Sequence, residues 1–251
     1  MGNRTSKHSK RKQKHRVPLN IGGPQDIQIH IPRNRADEHG QPIQQVTRDI
    51  DRNTLLAALN HVSRYIANRN QKITVVAVGG AVNTLYLQSR CTTHDVDIFG
   101  SDFSNQAQVL LDEAMHDAQQ HFPGLGTDWL NTETQMWMPG PLHRELTADA
   151  QKQNIRIFDD AGLVIYAAPW TYAFTAKINR IIAGGDQSRS YDLADAITYL
   201  HQYIRGRQNR PVPVSQVLQW SRHYNHQVSE EFLRRNVNME YRRLFGVDAV
   251  V

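Results

Sequence analysis

The stretch Val76-Ala77-Val78-Gly79-Gly80, followed after a short intervening segment by Asp95-Val96-Asp97-Ile98-Phe99, indicates how this chain folds. It has the pattern of a buried strand that ends in two glycines, a helix, and a second strand with carboxylates at alternate positions. Because side chains on a strand alternate between its two faces, Asp95 and Asp97 are expected on one face, with their apolar neighbours in the core. This order predicts a sheet with a polar site where its strands end.

The residue types at this site favour a metal ion and a phosphate group. Two adjacent carboxylates repel each other and raise each other's pKa unless a cation lies between them. Mg²⁺, or Mn²⁺ in its place, prefers oxygen ligands and shares them with substrate phosphates. Gly79 and Gly80 have no Cβ, so the backbone can approach a ligand closely, and the amides that open the next helix favour an anion. The pattern therefore suggests nucleotidyl transfer from a nucleoside triphosphate.

Composition favours a soluble intracellular protein, with a cytoplasmic location as the default. The chain has 251 residues, of which 39% are hydrophobic, and its longest apolar runs are too short to span a bilayer. Cys91 is the only cysteine, so no intramolecular disulfide can form. The polar N-terminus has no hydrophobic secretory segment.

The net charge of +5 comes from the N-terminus. Residues 1–16 hold seven basic residues and no acid, and the rest of the chain has 22 basic and 24 acidic residues, a net charge of −2. Such a segment repels itself and is expected to be disordered. It is suited to contact nucleic acid, an anionic membrane or a nuclear import receptor, or it serves only as a solubilising tail. Met1-Gly2-Asn3-Arg4-Thr5-Ser6 also matches the pattern for N-myristoylation, which would add an acyl anchor to the polybasic segment.

Periodicity predicts further elements along the chain. An alternating piece at 27–31 is a candidate edge strand, and 155–158 with 163–166 form a candidate hairpin around the turn residues Asp159 and Asp160. Ser104 is the expected cap of the helix that follows it. The strands are predicted at 73–78 and 95–99, and the helices at 53–68, 80–88, 104–121, 170–182, 191–204, 215–224 and 229–245.

Lys177 falls near the centre of an apolar helix face formed by Trp170, Phe174 and Ile178. A buried ammonium group is costly unless it is paired, so a triphosphate or a carboxylate is its expected partner. The alternative is that its stem lies along the apolar surface while the amine reaches water.

The next helix carries two acids. Asp192 lies beside the apolar stripe of this helix and is the better site candidate, although an acid in the first helical turn also favours the helix dipole. Asp195 lies nearly opposite the stripe, so it is expected on a solvated face, although a motif that runs serially through Asp192 could also include it.

Five motifs follow one another along the chain: Gly79-Gly80, Arg90, Asp95-x-Asp97, Tyr166-Ala-Ala-Pro169-Trp170 leading to Lys177, and Tyr191-Asp192-Leu193-x-x-Asp195. In this order, the motifs resemble nucleotidyltransferase-fold proteins of the AbiEii and MenT toxin type. The likeness covers roughly residues 50–205 and is closer still to uncharacterised fungal proteins of that superfamily, where an element like Asp128-Trp129-Leu130-Asn131 is expected.

The resemblance implies an α+β, polymerase β-like nucleotidyltransferase fold, with a small mixed sheet flanked by helices and a C-terminal helical subdomain. It implies that Asp95 and Asp97 bind the metal, that Lys177 contacts the NTP phosphates, and that Asp192 completes the site. The implied reaction is metal-assisted attack of an acceptor on the α-phosphate with loss of pyrophosphate. Toxins of this type modify the acceptor end of tRNA, so tRNA or another RNA is one candidate acceptor, beside a protein or a small molecule.

The sequence departs from this family at two places. Many active members have a serine after the first glycine, where this chain has Gly80, and a third carboxylate on a later strand. Asp128 is the best candidate for that third metal ligand, because Asp159 and Asp160 fit a hairpin turn. The alternatives are therefore a catalytically degenerate protein that binds a nucleotide or a partner, and a phosphotransferase that uses the same metal site.

The chain divides by pattern into three parts. Residues 1–46 are predicted to be a basic, largely disordered tail and linker, and 47–168 an α/β core. Residues 169–251 are predicted to be a helical region that completes the site.

Overall fold

The computed structural model describes residues 46–100, 105–136, 138–184 and 188–251. The basic tail, the candidate edge strand at 27–31 and the predicted cap Ser104 lie outside these ranges. The described residues belong to one compact unit, which spans Pro32–Val251. No helix in these ranges is long and apolar enough to cross a membrane.

The described chain alternates strands and helices up to Ala167 and is predominantly helical after it. The strands are β1 Ile50–Asp51, β2 Ile73–Val78, β3 Thr92–Thr93, β4 Val96–Phe99, β5 Leu130–Asn131, β6 Arg156–Asp159 and β7 Leu163–Ala167. The helices are α1 Arg52–Ala67, α2 Gly80–Val82, α3 Asn105–His121, α4 Glu133–Met136, α5 Gly140–Gln153, α6 Trp170–Gly184, α7 Asp192–Arg205, α8 Val214–His223, α9 Glu230–Phe232 and α10 Asn238–Phe245. A π-helical segment, Asn83–Leu87, continues α2, and another, Leu233–Val237, joins α9 to α10.

The architecture is α+β, as predicted. Among the described residues, five strands form a mixed sheet in the order β5-β4-β2-β7-β6, and β1 pairs with β3 in a separate antiparallel ribbon. The central strand β2 runs parallel to β7 and antiparallel to β4. Its register places Val78 opposite Asp97, so the end of β2 lies beside the acidic strand.

The hydrophobic core joins the sheet to helices from both parts of the chain. It includes Leu59 of α1, Val75 of β2, Met115 of α3 and Phe174 of α6, all of which are fully buried or nearly so. The helix α6 packs against α7, and α1 packs against α3. These two helix pairs hold the clusters of charged side chains described below.

The predicted helices and strands within the described ranges agree with the structure to within two residues at each end. Two helices were missed: the sequence predicts no regular element between Asn131 and Asn154, but α4 occupies Glu133–Met136 and α5 occupies Gly140–Gln153. Pro139, Gly140 and Pro141 suggest a break in the chain, yet proline is also compatible with the first helical turn. Behind them, Leu146 and Ala150 are buried one turn apart, the spacing of an apolar helix face. The short strands β1, β3 and β5 were also not predicted.

Candidate functional site

Gly79 places the backbone beside the carboxylate of Asp97. It follows β2 with φ of 78°, a conformation that residues with a Cβ rarely adopt. A Cβ built at Gly79 would lie 3.6 Å from Asp97 Oδ2. The glycine turn and the second carboxylate of the Asp-x-Asp pair are therefore direct neighbours.

Gly80 has a different steric role. A Cβ at this position would lie 2.6 Å from Thr93 Oγ1 and 2.7 Å from a terminal guanidinium nitrogen of Arg90. The space above Gly80 is therefore filled by Arg90, which the glycine allows to pack against the start of α2. Contact between Gly80 and a phosphate stays a prediction.

Asp95 lies immediately before β4, and both acids of the pair are half-buried. The predicted alternation holds, because Val96 and Ile98 are fully buried on either side of Asp97. Thr93 Oγ1 donates a hydrogen bond to the carbonyl oxygen of Asp95 at 3.1 Å, which positions the backbone ahead of the strand.

Lys177 is buried and paired with two carboxylates of α7. Its Nζ donates to Asp192 Oδ1 at 2.8 Å and makes an ion pair of 2.8 Å with Asp195 Oδ2. Only 7% of Lys177 is exposed. The prediction that this lysine needs a partner is confirmed, and the alternative in which its amine reaches water is wrong. Its partners here are the acids of α7.

The prediction of a solvated Asp195 was wrong, since this residue is only 2% exposed. Besides Lys177, its Oδ2 lies 3.6 Å from a guanidinium nitrogen of Arg90. The buried face of α7 includes Tyr199. The apolar stripe predicted from the sequence contained only aliphatic residues and left Tyr199 out. With Tyr199 on that face, Asp192 and Asp195 lie two turns and one turn before it and point the same way.

Asp192 is fully buried and remains ionised. Burial alone would raise the pKa of its carboxyl, but the charge and hydrogen bond of Lys177 hold that pKa below its ordinary value. The amide of Arg189 adds a hydrogen bond to Asp192 Oδ2 at 3.0 Å, and the charge of Arg180 acts in the same direction.

Three cations surround the ring of Tyr191. The guanidinium carbon of Arg90 lies 4.0 Å from the ring centroid, Lys177 Nζ lies 5.6 Å from it and the guanidinium carbon of Arg189 lies 5.8 Å from it. Arg189 was not predicted from the sequence, although its place just before the Tyr-Asp-Leu motif is a usable signal. Desolvation lowers the pKa of its guanidinium, but Tyr191, Asp192 and Asp95 together raise this pKa by more, so the net shift is upward.

Tyr199 joins α7 to the glycine turn. Its hydroxyl lies 2.9 Å from the carbonyl oxygen of Gly79 and also hydrogen-bonds to Asn83 Oδ1. Burial raises the pKa of Tyr199 well above its ordinary value; Asp195 and Asp192 raise it further, and Arg90 opposes them. The phenol therefore stays neutral and acts as a hydrogen-bond donor.

These contacts bring most of the predicted site residues together. From Asp97 they run through Gly79 and Tyr199 to α7, whose acids hold Lys177. Asp95 acts electrostatically on Arg189, which in turn contacts Tyr191 and Asp192.

Asp128 lies away from the strand position expected for a third acid. It is buried in the turn before β5, and the β5 residue paired with Asp97 is Asn131. The side-chain amide of Asn131 donates to the carbonyl oxygen of Asp128 at 3.3 Å. The sheet position beside Asp97 therefore carries an amide, and the metal role of Asp128 stays a prediction.

A family model covers most of the chain. It matches residues 48–248 and is described as DUF7582, a domain of unknown function. No curated protein and no solved structure matches the chain. The matched region begins just before β1 and ends after α10, so it includes every residue of the candidate site. The chain belongs to the DUF7582 family.

Proposed function

We propose that this protein is a metal-dependent nucleotidyltransferase of polymerase β-like fold, which moves a nucleoside monophosphate from an NTP to an acceptor. One observation carries the proposal: the contacts from Asp97 through Gly79 and Tyr199 to the acids of α7 and Lys177. They join a pair of carboxylates suited to a metal to a group of cations suited to phosphates. The motif order described above supports the same function.

Asp95 and Asp97 would hold Mg²⁺ or Mn²⁺. Both are half-buried, they follow one another at alternate positions, and their ligand atoms are all oxygens, as these ions prefer. When bound, the metal would neutralise charge on the reacting phosphates and orient the α-phosphate. Gly79 leaves the space beside Asp97 open to a ligand, since no side chain projects from it.

The cations would bind and orient the triphosphate. Arg189 is the most exposed of them and is best placed to meet an incoming phosphate. Lys177 has three donors, of which one is directed to Asp192 while Asp195 is also at ion-pair distance, so at most two remain for a phosphate oxygen. Asp192 is thus a positioning residue that acts through Lys177. Fixed positive charge of this kind stabilises a transferring phosphoryl group.

The second candidate function is nucleotide binding without catalysis. Two observations favour it: Asn131, not an acid, is paired with Asp97, and Lys177 is engaged by two carboxylates. Such a protein would bind NTP without turning it over.

The test is incubation of the full chain with each α-³²P-labelled NTP and Mg²⁺ or Mn²⁺, with total RNA, tRNA or no added acceptor. We expect label to enter RNA or the protein itself, with release of pyrophosphate. Release of nucleoside diphosphate without incorporation of the α-label would instead identify a phosphotransferase.

Asp97→Asn keeps the size of the side chain and removes its charge, so it should abolish incorporation. Asp149→Asn is the matched control, because Asp149 lies on the surface of α5 and pairs with Lys152. Turnover that survives Asp97→Asn would refute the role of this residue. NTP binding by calorimetry without any product would establish the second candidate.

A further inference from the structure

Three side chains of metal-binding type meet between α1 and α3. His61 comes from α1, and Asp117 and His121 come from α3; one ligand atom of each lies within 4.8 Å of the other two. Asp117 and His121 are four residues apart, about one helical turn, so both lie on the same face of α3, one above the other. Among the described residues, no second group of three histidine, cysteine or acidic side chains comes together in this way.

The distances are near those of a metal site, and closing on an ion also breaks the contact of 2.8 Å between His121 Nδ1 and the backbone carbonyl oxygen of Asp117. Asp117 Oδ2 lies between the imidazoles, 2.5 Å from His61 Nε2 and 3.7 Å from His121 Nδ1. In a tetrahedral zinc site with bonds of roughly 2.1 Å, the ligand atoms are about 3.4 Å apart. One contact is shorter than this spacing and the other longer, so closing on an ion moves Asp117 away from His61 and towards His121.

The surroundings hold the ligands while leaving one side open. The His61 and His121 rings lie with their centroids 4.5 Å apart, and Phe122 packs edge-on against His61 at 5.8 Å. The His61 side chain is 20% exposed, that of Asp117 35% and that of His121 57%. Asp117 also lines an open groove of about 470 Å³, so water reaches the cluster.

We propose that His61, Asp117 and His121 form a Zn²⁺ site with three protein ligands and a fourth position open to water. Two imidazole nitrogens and one carboxylate oxygen suit Zn²⁺, and three protein ligands with one open position are typical of zinc sites that exchange a ligand. Asp95 and Asp97 differ from this group because they offer only oxygen ligands, which suit Mg²⁺. This site uses residues of α1 and α3 and is independent of the proposed nucleotidyl transfer.

The test uses the full chain, freed of metal with EDTA and returned to buffer without Mg²⁺. Zn²⁺ is titrated against a chromogenic chelator, and Co²⁺ is added to a second sample to record its visible spectrum. We expect one equivalent of Zn²⁺ at micromolar affinity or better, and the intense d–d bands of low-coordinate Co²⁺. Zn²⁺ should also raise the melting temperature, since an ion bound only to the folded state stabilises it.

His121→Ala removes the most exposed ligand and should weaken Zn²⁺ binding at least about tenfold and abolish the Co²⁺ bands. His116→Ala is the matched control: His116 is also an exposed histidine of α3, and its Nδ1 contacts the carbonyl oxygen of Asp112. Equal Zn²⁺ affinity in the wild type and His121→Ala would place the metal elsewhere and overturn the proposal. So would a wild-type chain without Co²⁺ bands, whether or not the variant folds.

Discussion

Lys177 shows what a single buried charge contributes to this fold. It is the only lysine at the centre of the α6–α7 contact in the described structure, and it balances the charges of Asp192 and Asp195. Because both carboxylates are buried, removing the ammonium leaves them without their main counter-charge. The cluster therefore couples the stability of the helix pair to the geometry of the candidate site.

Lys177→Met should destabilise the protein by about 3 to 5 kcal/mol, the cost of leaving a buried ion pair broken. Equilibrium unfolding in urea measures this change. Lys152→Met is the matched control, since Lys152 pairs with Asp149 on the surface at 3.0 Å and should cost less than about 1 kcal/mol. Equal losses in the two variants would contradict a buried, paired Lys177.

His226 predicts a pH dependence of stability. Burial lowers the pKa of its imidazole to about 4 from an ordinary 6.5, and the ring lies between Tyr172 and Tyr224 with Nδ1 2.9 Å from Thr175 Oγ1. The folded state therefore holds the neutral imidazole. Between pH 6.5 and about 4 the unfolded state binds more protons, so stability is present above this range and is lost as the pH falls through it.

The loss from His226 should reach about 2 to 3 kcal/mol between pH 7 and pH 4, at about 1.36 kcal/mol for each unit of pKa shift. The free energy of unfolding, measured in urea across this range, should fall less steeply for His226→Asn, which keeps an acceptor near Thr175. His116→Asn, on an exposed part of α3, should leave the slope unchanged. The lowered pKa of Asp192 acts below its ordinary value of 3.8 and so outside this window. Parallel curves for the wild type and His226→Asn would refute the role of His226.

At the scale of elements, the β6–β7 hairpin approaches α1 more closely than any side chain at its turn allows. A Cβ at Gly162 would lie 2.1 Å from the carbonyl oxygen of Ser63 and 2.7 Å from the amide nitrogen of Ala67. The amide of Gly162 also donates to Ser63 Oγ at 3.0 Å. Backbone atoms of a helix cannot move aside at low cost, so this glycine sets how the sheet docks on α1.

Gly162→Ala should destabilise the protein by about 3 kcal/mol or more, at the upper end for overpacking, because the clash is with backbone. The melting temperature and the urea midpoint both measure it. Gly124→Ala is the control, since the nearest atom to its Cβ would be Thr54 Cγ2 at an ordinary 3.8 Å. A Gly162→Ala protein as stable as Gly124→Ala would show that the hairpin can shift away from α1.

Elements whose apolar residues repeat with the period of a helix or a strand were predictable from the sequence. Elements that exist only because they pair with a neighbouring strand were not. The helices α1, α6 and α7 have apolar residues at helical spacing, and β2 and β4 have buried strand patterns. In contrast, β5 is only two residues long and exists because Leu130 and Asn131 pair with β4. A strand that short has no period of its own, so only its neighbour reveals it.

For the whole molecule, the separation of charge along the chain predicts binding to polyanions. The N-terminal 16 residues carry seven basic residues, whereas the rest of the chain has a net charge of −2. If the tail contacts RNA, affinity should fall as salt rises, because each phosphate contact releases a counterion. Fluorescence anisotropy with a labelled single-stranded RNA, measured over a range of NaCl concentrations, gives the slope.

Arg11→Gln combined with Lys12→Gln should reduce the slope of log K against log salt by about 1.4, at roughly 0.7 for each phosphate of a single strand that the protein no longer neutralises. Arg234→Gln combined with Arg235→Gln removes the same charge from the α9–α10 segment, where these arginines pair with Glu230 and Glu231. That control should keep the wild-type slope. Equal slopes in all three proteins would exclude the tail from RNA binding.

The sequence by itself determined the local features of this protein: the helices with an apolar face, the strand that ends at Gly79, the alternation around Asp97 and the need of Lys177 for a partner. These follow from periods of two and 3.6 residues, which a single segment carries. Only the tertiary structure decided which groups meet. Tyr199 reaches Gly79 across 120 residues, Asp195 turns inward to Lys177 and Arg90, and His61 meets Asp117 of another helix. Such contacts depend on how the helices pack on the sheet and on each other, and no period within one segment records that packing.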